Sequence, residues 1–177
     1  MKLKIVKYNK NYQYLLKIKL INYQIFSGKY IEYESKGKVK EYDSYNGHLI
    51  YEGEYLNGKR NGKGKEYNKY GTGVMLFEGN YLNGKRNGEG KLYFDTEELA
   101  FKSEYLNGKK WNGKGYDRNG YMVYELKNGN GFVKEYDVNY IDLVFEGEYK
   151  KGEKNGKGIL SRKYRIIFDS EYLNGKK

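Results

Sequence analysis

Aromatic and polar residues alternate along short segments of the chain, and each segment ends at an Asn-Gly pair. In residues 51–56, Tyr-Glu-Gly-Glu-Tyr-Leu, the two tyrosines fall on one face of an extended strand and the glutamates on the other. Two Asn-Gly pairs follow, at 57–58 and 61–62, and the alternation resumes over residues 63–67. Asn-Gly between alternating segments is the strongest short-range hairpin signal, because both residues tolerate a positive φ. The pattern therefore predicts a β-hairpin with its glutamates opposite Lys63 and Lys65.

The hairpin pattern recurs along the chain. Tyr-Leu-Asn-Gly-Lys occurs four times, beginning at Tyr55, Tyr81, Tyr105 and Tyr172, and a near copy begins at Tyr149. Repeats of 20 to 50 residues decide the architecture, because each unit buries its apolar face only by stacking on its neighbours. We therefore predict an all-β fold, an elongated single-layer antiparallel array of about six to seven stacked β-hairpins over residues 26–177.

Composition and charge agree with strands and add an N-terminal feature. The 177 residues include 23 Tyr and 24 Gly but no Pro and no Cys, which excludes disulfides and thiolate metal sites. No apolar run approaches the roughly 18 residues of a membrane span, so we expect a cytoplasmic protein. Residues 1–31 hold seven lysines and no acid, out of a net charge of +11. We interpret residues 1–25 as basic capping strands or an eroded repeat.

The repeat unit resembles a known family. Glu-Gly-Glu-Tyr followed by Asn-Gly-Lys-x-x-Gly-x-Gly, repeated every 23 to 26 residues, is similar to the membrane occupation and recognition nexus (MORN) repeat. The resemblance covers about residues 26–177 and implies a twisted ribbon of antiparallel hairpins with a shallow groove. It also implies scaffolding and protein binding, in some cases with self-association, while phospholipid binding has been proposed for the family. Ser103 and Ser170 at the strand glycine and a contracted unit near Tyr124 depart from the pattern.

The basic turns are the first candidate site. Each turn carries two cations, and successive turns should recur about every 9.5 Å along one edge of the array. One interpretation is contact with an anionic partner such as a phospholipid surface. The other is a solvated turn that confers solubility and blunts the sheet edge. The candidate anion contacts are Lys59, Arg60, Lys85, Arg86, Lys109 and Lys110.

The recurring tyrosines are the second candidate site. We expect the Tyr and Leu of the motif to build the core, Asn-Gly to turn the chain, and Lys to face outward. The same aromatic face is a candidate groove for a partner peptide or helix, because Tyr combines a large ring with a polar edge. Stacking of single-stranded nucleic acid on these rings is disfavoured. The candidate groove residues are Tyr55, Tyr81, Tyr105, Tyr149 and Tyr172.

Nothing in the sequence favours catalysis. His48 is the single histidine, so a multi-histidine metal site is excluded, and the recurring glutamates behave as structural residues. We predict no catalytic, cofactor or metal site and a non-catalytic scaffold or adaptor for a protein partner. The alternative is a peripheral membrane module that binds anionic phospholipid through the basic turns. We also predict self-association through the C-terminal hairpin, whose second strand is missing after Lys177.

Overall fold

The computed structural model describes residues 28–34, 37–136, 143–162 and 165–176, so the predicted N-terminal capping segment, 1–25, lies outside the described residues. Thirteen strands are present in these ranges. They are β1 (Lys29–Tyr33), β2 (Lys38–Asp43), β3 (Leu49–Leu56), β4 (Lys59–Tyr67), β5 (Met75–Leu82), β6 (Lys85–Tyr93), β7 (Leu99–Leu106), β8 (Lys109–Tyr116), β9 (Met122–Leu126), β10 (Gly131–Tyr136), β11 (Leu143–Lys150), β12 (Glu153–Arg162) and β13 (Arg165–Tyr172).

Within each of two sheets, the strands pair in chain order. Strands β1 to β9 form one antiparallel sheet, and β10 to β13 form a second. A tight turn joins β9 to β10, where Lys127 and Asn130 form an isolated bridge. The predicted all-β array of antiparallel hairpins is therefore confirmed, and the sheet does not close.

In the units that keep the motif, the first Asn-Gly pair makes the turn, as predicted, and Lys151-Gly152 makes it in the near copy. Asn57 has a φ of 50° and Gly58 a φ of 72°, which is the geometry that a two-residue hairpin requires. The hairpin role predicted for the second pair, Asn61-Gly62, is wrong, because this pair lies inside β4 beside a register shift between Gly53 and Tyr55. The Asn61 side chain has another role: its Oδ1 accepts a hydrogen bond from the backbone N–H of Asn83, 3.3 Å away in the next turn.

The turns stack on one another along one edge of the ribbon. The backbone N–H of Gly84 donates to the carbonyl of Arg60 at 2.8 Å, and that of Gly108 donates to the carbonyl of Arg86 at 2.8 Å. These bonds tie each turn to the preceding unit. We call this side of the ribbon the turn edge.

The core is a line of aromatic rings on one face of the ribbon, here called the aromatic face. The first aromatic of each hairpin is fully buried, as Tyr51, Phe77 and Phe101 are. Rings of successive units meet edge to face: the centroids of Tyr51 and Tyr81 are 5.4 Å apart at 87°. A Cβ on Gly64 would lie 2.3 Å from the Tyr51 hydroxyl, so glycine is required where the ring of its own hairpin crosses the strand.

Candidate functional site

A cation covers the buried ring of each hairpin. The Cζ of Arg60 lies 4.0 Å from the ring centroid of Tyr51, and the Cζ of Arg86 lies 3.9 Å from that of Phe77. Lysines replace arginine in later units, with Nζ–centroid distances of 4.7 Å for Lys110 over Phe101 and 4.1 Å for Lys154 over Phe145. These contacts close the aromatic face, since a cation over a ring stabilises both groups and excludes solvent.

A buried carboxylate holds the first of these cations. The Glu41 side chain is fully buried, and its Oε1 accepts a hydrogen bond from Arg60 Nε at 2.8 Å. The Tyr55 hydroxyl and the Lys29 ammonium also donate to Glu41. Burial alone would raise the pKa of Glu41, but the hydrogen bonds from Arg60, Lys29 and Tyr55 outweigh it and lower the pKa to about 2.

The same arrangement recurs one repeat later. Glu66 accepts a hydrogen bond from Arg86 Nη2 at 2.7 Å and another from the Tyr81 hydroxyl. Arg60 Nη1 lies 3.2 Å from the same carboxylate, so Glu66 links two units. Burial would raise the pKa of Glu66, but the bond from Arg86 lowers it overall. We call each set of Glu, Tyr and cation an ion-pair rung.

The third rung lacks its acid. Leu92 lies opposite Phe101, as Glu66 lies opposite Phe77, so a leucine stands where the carboxylate should be. The Tyr105 hydroxyl is therefore buried with no hydrogen-bond partner. Lys110 Nζ instead bonds to Glu135 Oε1 at 2.9 Å, which joins β8 of the first sheet to β10 of the second. Loss of one acid thus frees a lysine to tie the two sheets together.

The missing acid of the third rung predicts different effects for two Tyr-to-Phe substitutions. Tyr81→Phe should lower the free energy of unfolding by about 1 to 2 kcal/mol, because it removes a hydrogen bond to a charged carboxylate. Tyr105→Phe should leave it unchanged or raise it, because it removes a buried hydroxyl that has no partner. Urea unfolding of both variants measures the difference. Equal losses of unfolding free energy would contradict the claim that the Tyr105 hydroxyl lacks a hydrogen-bond partner.

The tyrosines predicted to line a groove belong to this core. Tyr81, Tyr105 and Tyr172 are only 4%, 4% and 5% exposed, while Tyr55 and Tyr149 are half-buried. The hydroxyls of Tyr55 and Tyr81 are occupied by Glu41 and Glu66. The aromatic face therefore offers little free ring surface, and contact of these residues with a partner stays a prediction.

The basic turns divide into two sets that lie on opposite faces. The second cation of each turn covers the core, as described for Arg60, Arg86 and Lys110. The first is exposed at the turn edge, in Lys59, Lys85 and Lys109, and Lys109 forms an ion pair with Glu153 at 2.8 Å. Strand alternation explains the division, because neighbouring residues point to opposite faces.

Each exposed lysine lies beside an exposed leucine. Leu56 pairs with Lys59, Leu82 with Lys85 and Leu106 with Lys109 across their turns. These leucines are 59%, 49% and 41% exposed, so the predicted core role of the motif leucine is wrong. The leucine follows a core tyrosine directly and therefore points to the other face of the strand.

The face opposite the aromatic core is the charged face. It contains one groove over β2 to β5 and a second over β6 to β9, and we call the two together the charged groove. Gly53, Gly64 and Gly79 line this charged groove together with charged residues such as Glu54 and Lys63. The predicted pairing of the glutamates is confirmed for Lys65, which lies opposite Glu52. It is not found for Lys63, which lies opposite Asn80 of β5.

Charges on one wall of the charged groove alternate from strand to strand. The row runs Lys40, Glu52, Lys65, Glu78, Lys91 on β2 to β6, each opposite the next. Glu52 accepts a hydrogen bond from the Tyr67 hydroxyl at 2.6 Å, and its carboxylate lies 3.7 Å from the Lys65 ammonium. Glu78 repeats this pattern with Tyr93 at 2.8 Å and Lys91 at 3.0 Å. Over these strands the wall satisfies its own charges.

Within residues 28–34, 37–136, 143–162 and 165–176, no group of three or more His, Asp or Glu side chains is placed to hold a metal ion. In the same ranges, no helix has the length and apolar character needed to cross a membrane.

Comparison with known proteins identifies three of the hairpins. Residues 51–72, 77–96 and 145–163 match the family model described as MORN repeat. The matched segments contain most of hairpins β3–β4 and β5–β6 and much of β11–β12. No curated protein matches the chain.

Proposed function

From the MORN repeats matched at residues 51–72, 77–96 and 145–163, we propose that the chain is a non-catalytic scaffold that binds a segment of a protein partner along its hairpin array. Repeats of this family are in general associated with binding to proteins or to membrane lipids. An array suits such a role, because several weak contacts repeated along the ribbon add up when the partner is long enough to span them.

The open charged groove is the observation that carries this proposal. The aromatic face is closed by its own cations and carboxylates, whereas the opposite face has a glycine-lined groove bordered by charged side chains. A groove that runs across successive strands can follow an extended chain for several units. A peptide in this groove would meet backbone and charged groups rather than the core tyrosines.

Photo-crosslinking in an extract of the cells that make the protein tests the proposal. A photoreactive amino acid at Glu104, which lines the groove, should yield a covalent adduct with a distinct protein. The same group at Tyr45, a loop residue that is 98% exposed, controls for random collision. Adducts that form equally from both positions, or no protein adduct from position 104, would refute groove binding.

A second candidate function is peripheral binding to anionic membranes, which the turn edge favours. There the exposed leucines alternate with exposed lysines at about 9.5 Å intervals, the strand spacing of one hairpin. An apolar side chain next to a cation is the combination that enters the interface of an anionic bilayer.

Vesicle flotation separates this candidate from the first. Membrane binding predicts that the protein floats with phosphatidylserine vesicles, and that Leu56→Ser, Leu82→Ser and Leu106→Ser together abolish flotation. A nucleic-acid partner would instead reveal itself by a steep salt dependence of binding. If the wild-type protein stays at the bottom of the gradient at low salt, the membrane candidate is excluded.

Self-association is a further part of the proposal. Among the described strands, β13 pairs with β12 alone, and Leu173 beyond it is 70% exposed. An unpaired strand edge next to an apolar residue favours addition of a strand from a second copy. Sedimentation velocity should then show a dimer fraction that grows with concentration, and a strict monomer at high concentration would reject the idea.

A further inference from the structure

A lysine replaces the acid of the charged wall in the third hairpin. Glu52 and Glu78 each bind a Tyr hydroxyl and a Lys ammonium in the two preceding hairpins, as described above. Lys102 of β7 follows Lys91 in the same row and lies directly opposite Lys114 of β8. Together with Tyr116, these residues present two ammonium groups and a hydroxyl, and no carboxylate lies directly opposite Lys102.

Like charges also lie opposite one another between β6 and β7, in both the basic row and the acidic row. Lys91 lies opposite Lys102, and Glu89 lies opposite Glu104. Like charges directly across two strands destabilise a sheet, so folding alone would not favour this pattern. Among the described residues, the Lys102 side chain has no ion-pair or hydrogen-bond partner. The next acid along the row, Glu125, is ion-paired with Lys127 at 3.3 Å.

Over β6 to β8 the two rows of charge border the groove, with Lys102 and Lys114 lining one side and Glu89 and Glu104 the other. Lys91, Lys102 and Lys114 are about 4.8 Å apart on successive strands, and the acidic row lies two residues further along, about 7 Å away. An extended chain on the groove floor between them would point its odd side chains to one wall and its even side chains to the other. Acidic residues would meet Lys102 and Lys114, and basic residues would meet Glu89 and Glu104.

We propose that this part of the charged groove, over β6 to β8, selects an extended segment of a partner protein in which acidic and basic residues alternate. The inference rests on the proposed protein-binding function and assigns its specificity. The partner's carboxylate takes the place that Glu52 and Glu78 fill in the earlier hairpins. Strands β2 to β5 do not compete for such a segment, because their row of alternating charges is already neutralised.

Peptide titration tests the selectivity. The probes are two synthetic peptides of equal composition and zero net charge, acetyl-Glu-Lys-Glu-Lys-Glu-Lys-amide and acetyl-Glu-Glu-Glu-Lys-Lys-Lys-amide, titrated calorimetrically at low salt. The alternating peptide should bind about fivefold more tightly than the block peptide. Lys102→Glu should remove this preference, because it restores the acid of the earlier hairpins. Lys69→Glu, an equal charge change in the exposed β4–β5 loop, should retain it.

Thermal unfolding of Lys102→Glu provides the second readout. The variant should melt about 1 to 4 °C above the wild type, because a charge repelled by Lys91 and Lys114 becomes attracted to both. Equal affinity for the two peptides, or an unchanged preference in Lys102→Glu, would overturn the inference. If position 104 cross-links a protein but the two peptides bind equally, the proposed protein-binding function stands. That result would reject only the selectivity for alternating charge.

Discussion

Replacing Glu66 by Leu is expected to lower the free energy of unfolding by about 2 to 4 kcal/mol. Removing one partner of a buried ion pair leaves the other charge uncompensated, which costs about 3 to 5 kcal/mol when the pair is fully buried. The side chains of Glu66 and Arg86 are 24% and 26% exposed, so water recovers part of this cost. Arg86 has no second carboxylate among its hydrogen bonds in the described structure, unlike Arg60, which also contacts Glu41. Urea unfolding followed by circular dichroism measures the loss.

A double substitution distinguishes a lost ion pair from a simple packing defect. Glu66→Leu with Arg86→Leu should be more stable than Glu66→Leu alone, because no unpaired charge remains on the aromatic face. The natural rung at Leu92 shows that the fold accommodates leucine at this position when its cation has another acid. If the losses of unfolding free energy from the two single substitutions simply add in the double variant, Glu66 and Arg86 are not coupled.

Acid is expected to remove a comparable amount of stability between about pH 5 and pH 2. The pKa of Glu41 is about 2 in the folded protein, against an ordinary value of 4.5. Between these values the unfolded chain binds more protons than the folded one, so the free energy of unfolding falls as the pH falls. Above about pH 5 the contribution of Glu41 is fully present, and it amounts to roughly 3 kcal/mol. The pKa values of Glu66 and Glu135 are lowered too, which adds to the effect.

Glu41→Gln provides the control for acid unfolding. Its free energy of unfolding should be lower than that of the wild type at pH 7 but should fall less steeply between pH 5 and pH 2. Urea unfolding at pH 7, 5 and 3 measures both slopes. Identical slopes for the variant and the wild type would mean that Glu41 titrates normally in the folded protein.

The array was predictable because its signals are local. Alternation and the Asn57-Gly58 turn depend on residues within one hairpin, and they specify strands and their order without knowledge of the rest of the chain. The family resemblance then agreed with the same pattern. What the sequence could not indicate is the register across a bulge.

The bulge explains why the ion-pair rungs were missed. The register shift between Gly79 and Tyr81 changes which residues of β5 and β6 are opposite, so counting in steps of two from Phe77 does not reveal that Arg86 reaches Glu66. Residue type alone also favours an exposed position for Glu66, because buried acids are rare unless they are paired. The recurrence of this acid was a usable signal. Glu41 and Glu66 each precede a tyrosine, and they are 25 residues apart.

The division of each basic turn was predictable in principle. Lys59 and Arg60 are adjacent on one strand, so one of them had to point toward the core face and the other away from it. Treating the pair as a single basic cluster concealed this. The same alternation places Leu56 outside, although an apolar residue beside Tyr55 suggests a core position.

Lysine footprinting of the complex tests most directly whether the charged groove is the binding face. The partner obtained by cross-linking is bound to the wild-type protein, free amines are acetylated, and modification at each lysine is measured by mass spectrometry with and without partner. We expect the partner to protect Lys102 and Lys114 severalfold while Lys59 and Lys85 at the turn edge remain reactive. Protection of Lys59 and Lys85 with Lys102 and Lys114 unchanged would contradict the account and place binding at the turn edge.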